Sequence, residues 1–159
     1  MKHFKYLKYI LTHKWFVMVE CFKVGLYWQG IIHDWSKFMP IEFIAYANHF
    51  YSKPTSNRQY KIGYYKPVDT GDDAFEIACF HHQKLNKHHW QYWVQPIDKG
   101  SVKVYEMPYR YALEMVCDWL GASKAQQTKG MSYWYAENKD KLVLGEKTRA
   151  FIERQVKCH

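Results

Sequence analysis

Apolar side chains at Phe4, Leu7, Ile10/Leu11, Met18 and Cys21/Phe22 recur at intervals near three and four. That is the period of one helical face, and it predicts a long amphipathic first helix ending about Gly25. A shorter helix is expected from about Trp28 to Phe38. Pro40, suited to a first helical turn, then opens a third through Ile41, Phe43, Ile44, Ala47 and Phe50. From Ser52 to Thr70 the period disappears: Pro54, Gly63 and Pro67 punctuate a run of tyrosines and the cations Lys53, Arg58, Lys61 and Lys66. Residues 53–70 are therefore read as a long basic, aromatic loop, a length that suits a lid over a site as well as a plain surface excursion.

Thr70-Gly71-Asp72-Asp73 offers capping side chains for a helix from about Asp73 to Leu85. An irregular stretch follows to about Glu106, with strand-like alternation only at Ser101 to Tyr105. Pro108 precedes a helix over Tyr109 to Gly121, and two short helices near Ser132 to Leu142 and Glu146 to Lys157 are separated by Gly145. The pattern predicts an all-α chain of about six to seven helices forming one domain over residues 1–159, without internal repeats.

Charge narrows the partners. Lys plus Arg number 23 against 15 acidic residues, a formal net charge of +8. This excess favours anionic partners: phosphorylated small molecules, nucleic acid or acidic membrane surfaces. The four cysteines, Cys21, Cys79, Cys117 and Cys158, lie far apart with no C-x-x-C, as expected for reduced thiols. The basic start resembles the head of a signal peptide, but Lys8, His13 and Lys14 interrupt the apolar run. The most apolar stretch, Trp15 to Ile32, carries Glu20 and Lys23, so no membrane span is expected and the cytoplasm is the expected location.

The strongest chemical signal is Gly30-Ile31-Ile32-His33-Asp34-Trp35-Ser36-Lys37-Phe38. Adjacent His and Asp on a helix can aim an imidazole and a carboxylate at one cation, and Lys37, one turn beyond His33, can meet a phosphate held there. Asp118 interrupts an apolar run between Cys117 and Trp119, where a carboxylate is costly unless a metal or an arginine pairs with it. His81-His82 and His88-His89 stand seven apart, about 10 Å along a continuous helix, too far for both pairs to bind one ion. Asn86 can end that helix and let the second pair fold back. Alternatively, His88, His89, Trp90, Tyr92 and Trp93 form an aromatic packing cluster. His13 reads equally well as part of a polar helix face. Arg110 and Lys124 are candidate phosphate clamps or simply solvated cations. Phosphate-binding glycine loops, a G-x-S-x-G elbow and H-E-x-x-H are all absent.

The H-D-x-x-K segment resembles the signature of the HD-domain superfamily, helical metal-dependent phosphohydrolases with an early His, a His-Asp pair, further histidines and a late Asp. His13, His33-Asp34, His81-His82, His88-His89 and Asp118 follow that order between Leu11 and Leu120. The chain is also similar to an uncharacterised family of short bacterial and phage proteins, which lends no function. The superfamily resemblance implies an HD-like helical bundle holding one or two divalent ions of Mn, Fe, Zn, Ni or Co. His13, His33, Asp34, His81, His82 and Asp118 would be the ligands, and Asp34 would be the bridge between two ions. His88 and His89 would touch substrate or support the ligands. Lys37 and Arg110 would act in catalysis.

The implied reaction is hydrolysis of a small phosphorylated substrate, a nucleotide by preference, without a membrane partner. Ser36-Lys37 stands where some nucleotide hydrolases of the superfamily have Glu-Asp, and no G-Y-P follows the paired histidines. Two rivals are a di-iron oxygenase of the same superfamily, using one histidine from each pair, and a non-enzymatic nucleic-acid or partner-binding module.

Overall fold

In the computed structural model, which describes residues 1–52 and 70–158, the first helix, α1, spans Lys2–Lys23. It stops before Gly25, whose φ of +78° favours a residue without a side chain. Its buried stripe is rotated from the one predicted: Tyr6, Ile10, His13, Val17, Glu20 and Cys21 face inward, while Phe4, Leu11 and Phe22 are exposed. The displaced stripe is explained by its two polar members, both of which find partners, His13 in the interior and Glu20 at its edge. His13 meets carboxylates, and Glu20 pairs with Lys23 and Lys124.

The second helix, α2 (Tyr27–Ile32), is shorter than the expected run to Phe38. The chain leaves it at His33, passes through Asp34 in the left-handed region (φ 55°, ψ 28°), and re-forms as a 3-10 turn over Trp35–Phe38. The His-Asp pair therefore sits at a break in the helix. Asp is among the few residues that tolerate this conformation. Gly30 lets α2 lie close on α1, since a Cβ there would come within 3.0 Å of the Cys21 side chain.

Pro40 does open the next helix, α3 (Pro40–Tyr51). Beyond the loop predicted over 53–70, which but for Thr70 lies outside the described residues, α4 runs over Asp73–Leu85, with the Asp72 carboxylate accepting from Phe75 N at 3.2 Å. The stretch read as irregular holds a 3-10 turn at Trp90–Trp93 and a two-stranded antiparallel sheet, β1 (Val94–Pro96) with β2 (Val102–Val104), in which Val94 faces Val104.

The next helix, α5 (Tyr109–Gln126), continues past the expected stop at Gly121. Gly121 serves packing: a Cβ there would lie 2.5 Å from Val17 Cγ2 and 2.7 Å from Val17 N, so α1 and α5 approach as only glycine allows. Two shorter helices complete the described chain, α6 (Met131–Asn138), followed by a 3-10 turn at Lys139–Lys141, and α7 (Glu146–Lys157). The class is all-α.

Two apolar clusters flank the seam between α1 and α5. Tyr6, Ile10, Tyr46, Phe75 and Ala78 join α1, α3 and α4. Met115, Val116, Met131, Tyr135 and Ile152 join α5, α6 and α7. Val17, Cys21 and Cys117 fill the seam itself, and all four cysteines are free thiols. Among the described residues no helix is long and apolar enough to cross a membrane.

Candidate metal centre

Five separate parts of the chain send polar side chains into the interior between these clusters. His13 comes from α1, His33 and Asp34 from the break after α2, and His82 from α4. His88 comes from the turn after α4, and Asp118 from α5. His13, His33, Asp34, His82 and His88 are each at most 4% exposed. Burying so many polar groups is costly unless each is satisfied.

Asp34 is the hub. Its Oδ2 lies 3.2 Å from His13 Nε2 and 3.4 Å from His33 Nε2, and both imidazole nitrogens also approach Asp118 Oδ1, at 3.2 and 3.4 Å. Its Oδ1 lies 3.3 Å from His82 Nε2 and 3.3 Å from His88 Nε2. The carboxylate thus faces two groups of donors, His13, His33 and Asp118 on one side and His82, His88 and His89 on the other. Within each group the donor atoms, Asp34 included, lie within 4.8 Å of one another, close enough to hold a metal ion.

The outward edges of the rings are fixed. Glu114, one turn before Asp118 on α5, accepts from His33 Nδ1 at 3.1 Å and lies 3.3 Å from His88 Nδ1. Glu42 of α3 accepts from His82 Nδ1 at 2.9 Å and from Ser36 Oγ at 3.0 Å, and Asn86 Nδ2 donates to Ser36 Oγ at 2.8 Å. With Nδ1 carrying the proton, Nε2 presents its lone pair to the centre. The Nε2 atoms of His33, His82, His88 and His89, and Asp34 Oδ1, are buried and have no hydrogen-bond partner among the described residues. Ring nitrogens without hydrogen bonds, gathered around one carboxylate, are groups a borderline divalent metal can take as donors in place of protons.

Charge is balanced inside the cluster. Burial pushes the Asp34 carboxyl up, but His33, Lys37 and His82 outweigh it and hold Asp34 well below the usual carboxylate range. Burial likewise opposes ionisation of Asp118, and hydrogen bonds from His13 and His33 reverse the effect. Burial drives His89 well below the ordinary imidazole range, and His88 and His82 add to the shift.

Of the residues singled out in the sequence, His13, His33, Asp34, His82 and Asp118 come together, and Lys37 Nζ joins them 2.5 Å from Asp34 Oδ2. His81 does not. Successive helical residues point about 100° apart, so only one of His81 and His82 can face the centre. His81 hydrogen-bonds Glu42 Oε1 through Nδ1 at 2.7 Å and is partly exposed. His88 and His89, expected as substrate contacts or supports, lie close to Asp34 together with His82, because the helix ends at Asn86 and the chain turns back. Arg110 is exposed at the start of α5, its guanidinium over the Tyr111 ring at 4.7 Å. With Trp28, Asn86, Lys87 and Glu114 it lines a cleft of about 300 Å³ that reaches His33 and His88. Lys124 pairs with Glu20.

A family model described as a family of unknown function (DUF5662) matches residues 2–158. The chain belongs to this family. No curated protein and no solved structure matches the chain. Family membership carries no activity, so the chemistry has to be argued from the cluster itself. Glu42, Ser36 and Glu114 escaped the sequence reading, although Glu42 and Glu114 each place a carboxylate among apolar helical neighbours, the same signal that marked Asp118.

Proposed function

We propose that the cluster is a dinuclear metal centre of the HD-domain type and that the protein hydrolyses a small phosphate ester, a nucleotide by preference. The observation that carries this reading is the set of buried imidazole Nε2 atoms, left without hydrogen bonds, around the two oxygens of Asp34. His13, His33 and Asp118 would hold one ion and His82, His88 and His89 the other, with Asp34 shared. Divalent ions in such a site supply Lewis acidity toward a phosphoryl oxygen and a water acidic enough to serve as nucleophile near neutral pH. Glu114 and Glu42 keep the rings in the tautomer that offers Nε2. Lys37, held on Asp34, sets a cation beside the centre to balance charge gathering on phosphoryl oxygens, and Arg110 and Lys87 offer further cations along the cleft.

The test is metal analysis of purified protein, alone and after reconstitution with manganese, iron, zinc, nickel or cobalt. It is paired with phosphate release from a panel of nucleotides and aryl phosphates. Wild type should bind about two ions per chain and hydrolyse at least one substrate class, and Asp34→Ala should lose both properties. A wild type that binds no metal under any of these conditions sinks the reading.

The number of histidines supports a second reading, a di-iron oxygenase, because His82 and His88 both reach Asp34 Oδ1. Iron-dependent oxygen consumption with no phosphate release would favour it. A nucleic-acid-binding module has no use for the buried ligand set. It would show binding that falls steeply with salt and survives removal of His33.

A further inference from the structure

The rotation of α1 leaves a second apolar face exposed among the described residues. Leu11 and Trp15 are 53% and 60% exposed, and together with Met18, Gly30 and Ile31 they line a shallow groove beside Lys14. The surface continues in both directions. Phe22 meets Tyr27 edge-to-face at 5.2 Å between ring centroids, and Lys14 Nζ lies 5.8 Å from the centroid of Trp35, itself 60% exposed. A continuous exposed apolar surface rich in Trp and Tyr marks an interaction site.

The charges around it share one sign. The acids of residues 1–52 are Glu20, Asp34 and Glu42, and all three are buried. Among α2, α3 and α5, the helices packed against α1, the carboxylates are Glu42, Glu114 and Asp118, all turned into the polar cluster. What this face shows to solvent is therefore aromatic and aliphatic side chains with Lys5 and Lys8, and at its end Lys23, whose ammonium pairs with Glu20.

We propose that the face formed by α1, α2 and the following turn docks on an anionic lipid surface. Trp15, Tyr27, Ile31 and Trp35 would sit at the headgroup boundary and the lysines would meet lipid phosphates. A second copy of the chain fits less well, because two-fold pairing would bring two lysine-bearing faces together with no exposed carboxylate on either to answer them. The attachment is peripheral, and it departs from the expectation of no membrane partner. It does not rest on the metal reading.

The experiment is co-sedimentation of the full chain with vesicles of phosphatidylcholine alone or mixed with phosphatidylglycerol, at low and high salt. Wild type should pellet with the anionic vesicles only. The double variant Trp15→Ser/Ile31→Ser and the variant Lys8→Glu should each bind about tenfold or more weakly, with melting temperature and metal content unchanged. Three outcomes overturn the proposal. One is no binding to anionic vesicles. Another is binding that the double variant leaves intact, which marks plain charge attraction elsewhere. The third is a wild-type dimer in light scattering that the double variant turns into a monomer, which assigns the face to a second copy.

Discussion

At His33, His82 and His88 a carboxylate behind the ring engages Nδ1 and leaves Nε2 open toward the centre, whereas at His13 it is Nε2 that meets Asp34. Glu114 touches a ring from each side of Asp34, so it sets His33 and His88 together, while Glu42 sets His82 and also holds His81. His81 and His82 are neighbours in sequence with the same carboxylate partner, yet only His82 turns Nε2 toward Asp34. His82→Gln should therefore lose about half of the bound metal, whereas His81→Gln should keep the full complement with affinity weakened by no more than roughly 10–100-fold. Equilibrium dialysis with metal analysis on both variants decides this, and equal loss in the two would refute the assignment. His33, Asp34 and Asp118 could be read from the chain because a His-Asp step and a lone carboxylate in an apolar run are local signals. The choice within each histidine pair depends on how α4 is rotated and where it ends, which only packing determines.

At the scale of elements, α7 begins without a capping side chain of its own at Gly145. Glu106, from the segment before α5, supplies one. Its carboxylate accepts from Lys147 N at 3.2 Å and from Thr148 N and Oγ1 at 2.8 Å each. Gly145 leaves room for it, since a Cβ there would lie 2.5 Å from Glu106 Cδ. Slight burial raises the Glu106 carboxyl, but the Thr148 and Lys147 hydrogen bonds outweigh that and hold it below the usual glutamate range. A depressed folded-state pKa means the cap stabilises fully above the unfolded value and is lost as pH falls through the folded one. Glu106→Gln, which keeps an accepting oxygen at this exposed cap, should cost roughly 0.3–1 kcal/mol at neutral pH, and the gap from wild type should close on acidification. Urea denaturation of both proteins at neutral and acid pH measures it, and a gap that stays constant with pH would exclude a charged cap. The bounds of α7 were legible because its amphipathic period is strong. Its cap was not, because the residue that supplies it lies some forty positions upstream.

For the whole molecule, the centre lies where distant parts of the chain meet. α1, the break after α2, α4, the turn at His88 and α5 all contribute, and the apolar clusters flank it on both sides. Without a cation, Asp34, Asp118, Glu42 and Glu114 rely on imidazoles and Lys37 for compensation, and the open Nε2 edges gain nothing from burial. An unfolded chain cannot reproduce a site assembled from five segments, so a metal held there would add directly to folding stability. At free metal a hundredfold above Kd, one site adds about 2.7 kcal/mol. Two such sites, as proposed, add about 5.4 kcal/mol, which for a chain of this size corresponds to a shift in Tm of roughly 11–22 °C. Chelator-treated protein should melt lower by about that amount and recover when manganese or zinc is returned, whereas Asp34→Ala should respond to neither treatment. Differential scanning calorimetry on the two proteins makes the comparison, and a wild-type Tm indifferent to chelation and reloading would mean that the cluster is held by its own hydrogen bonds alone.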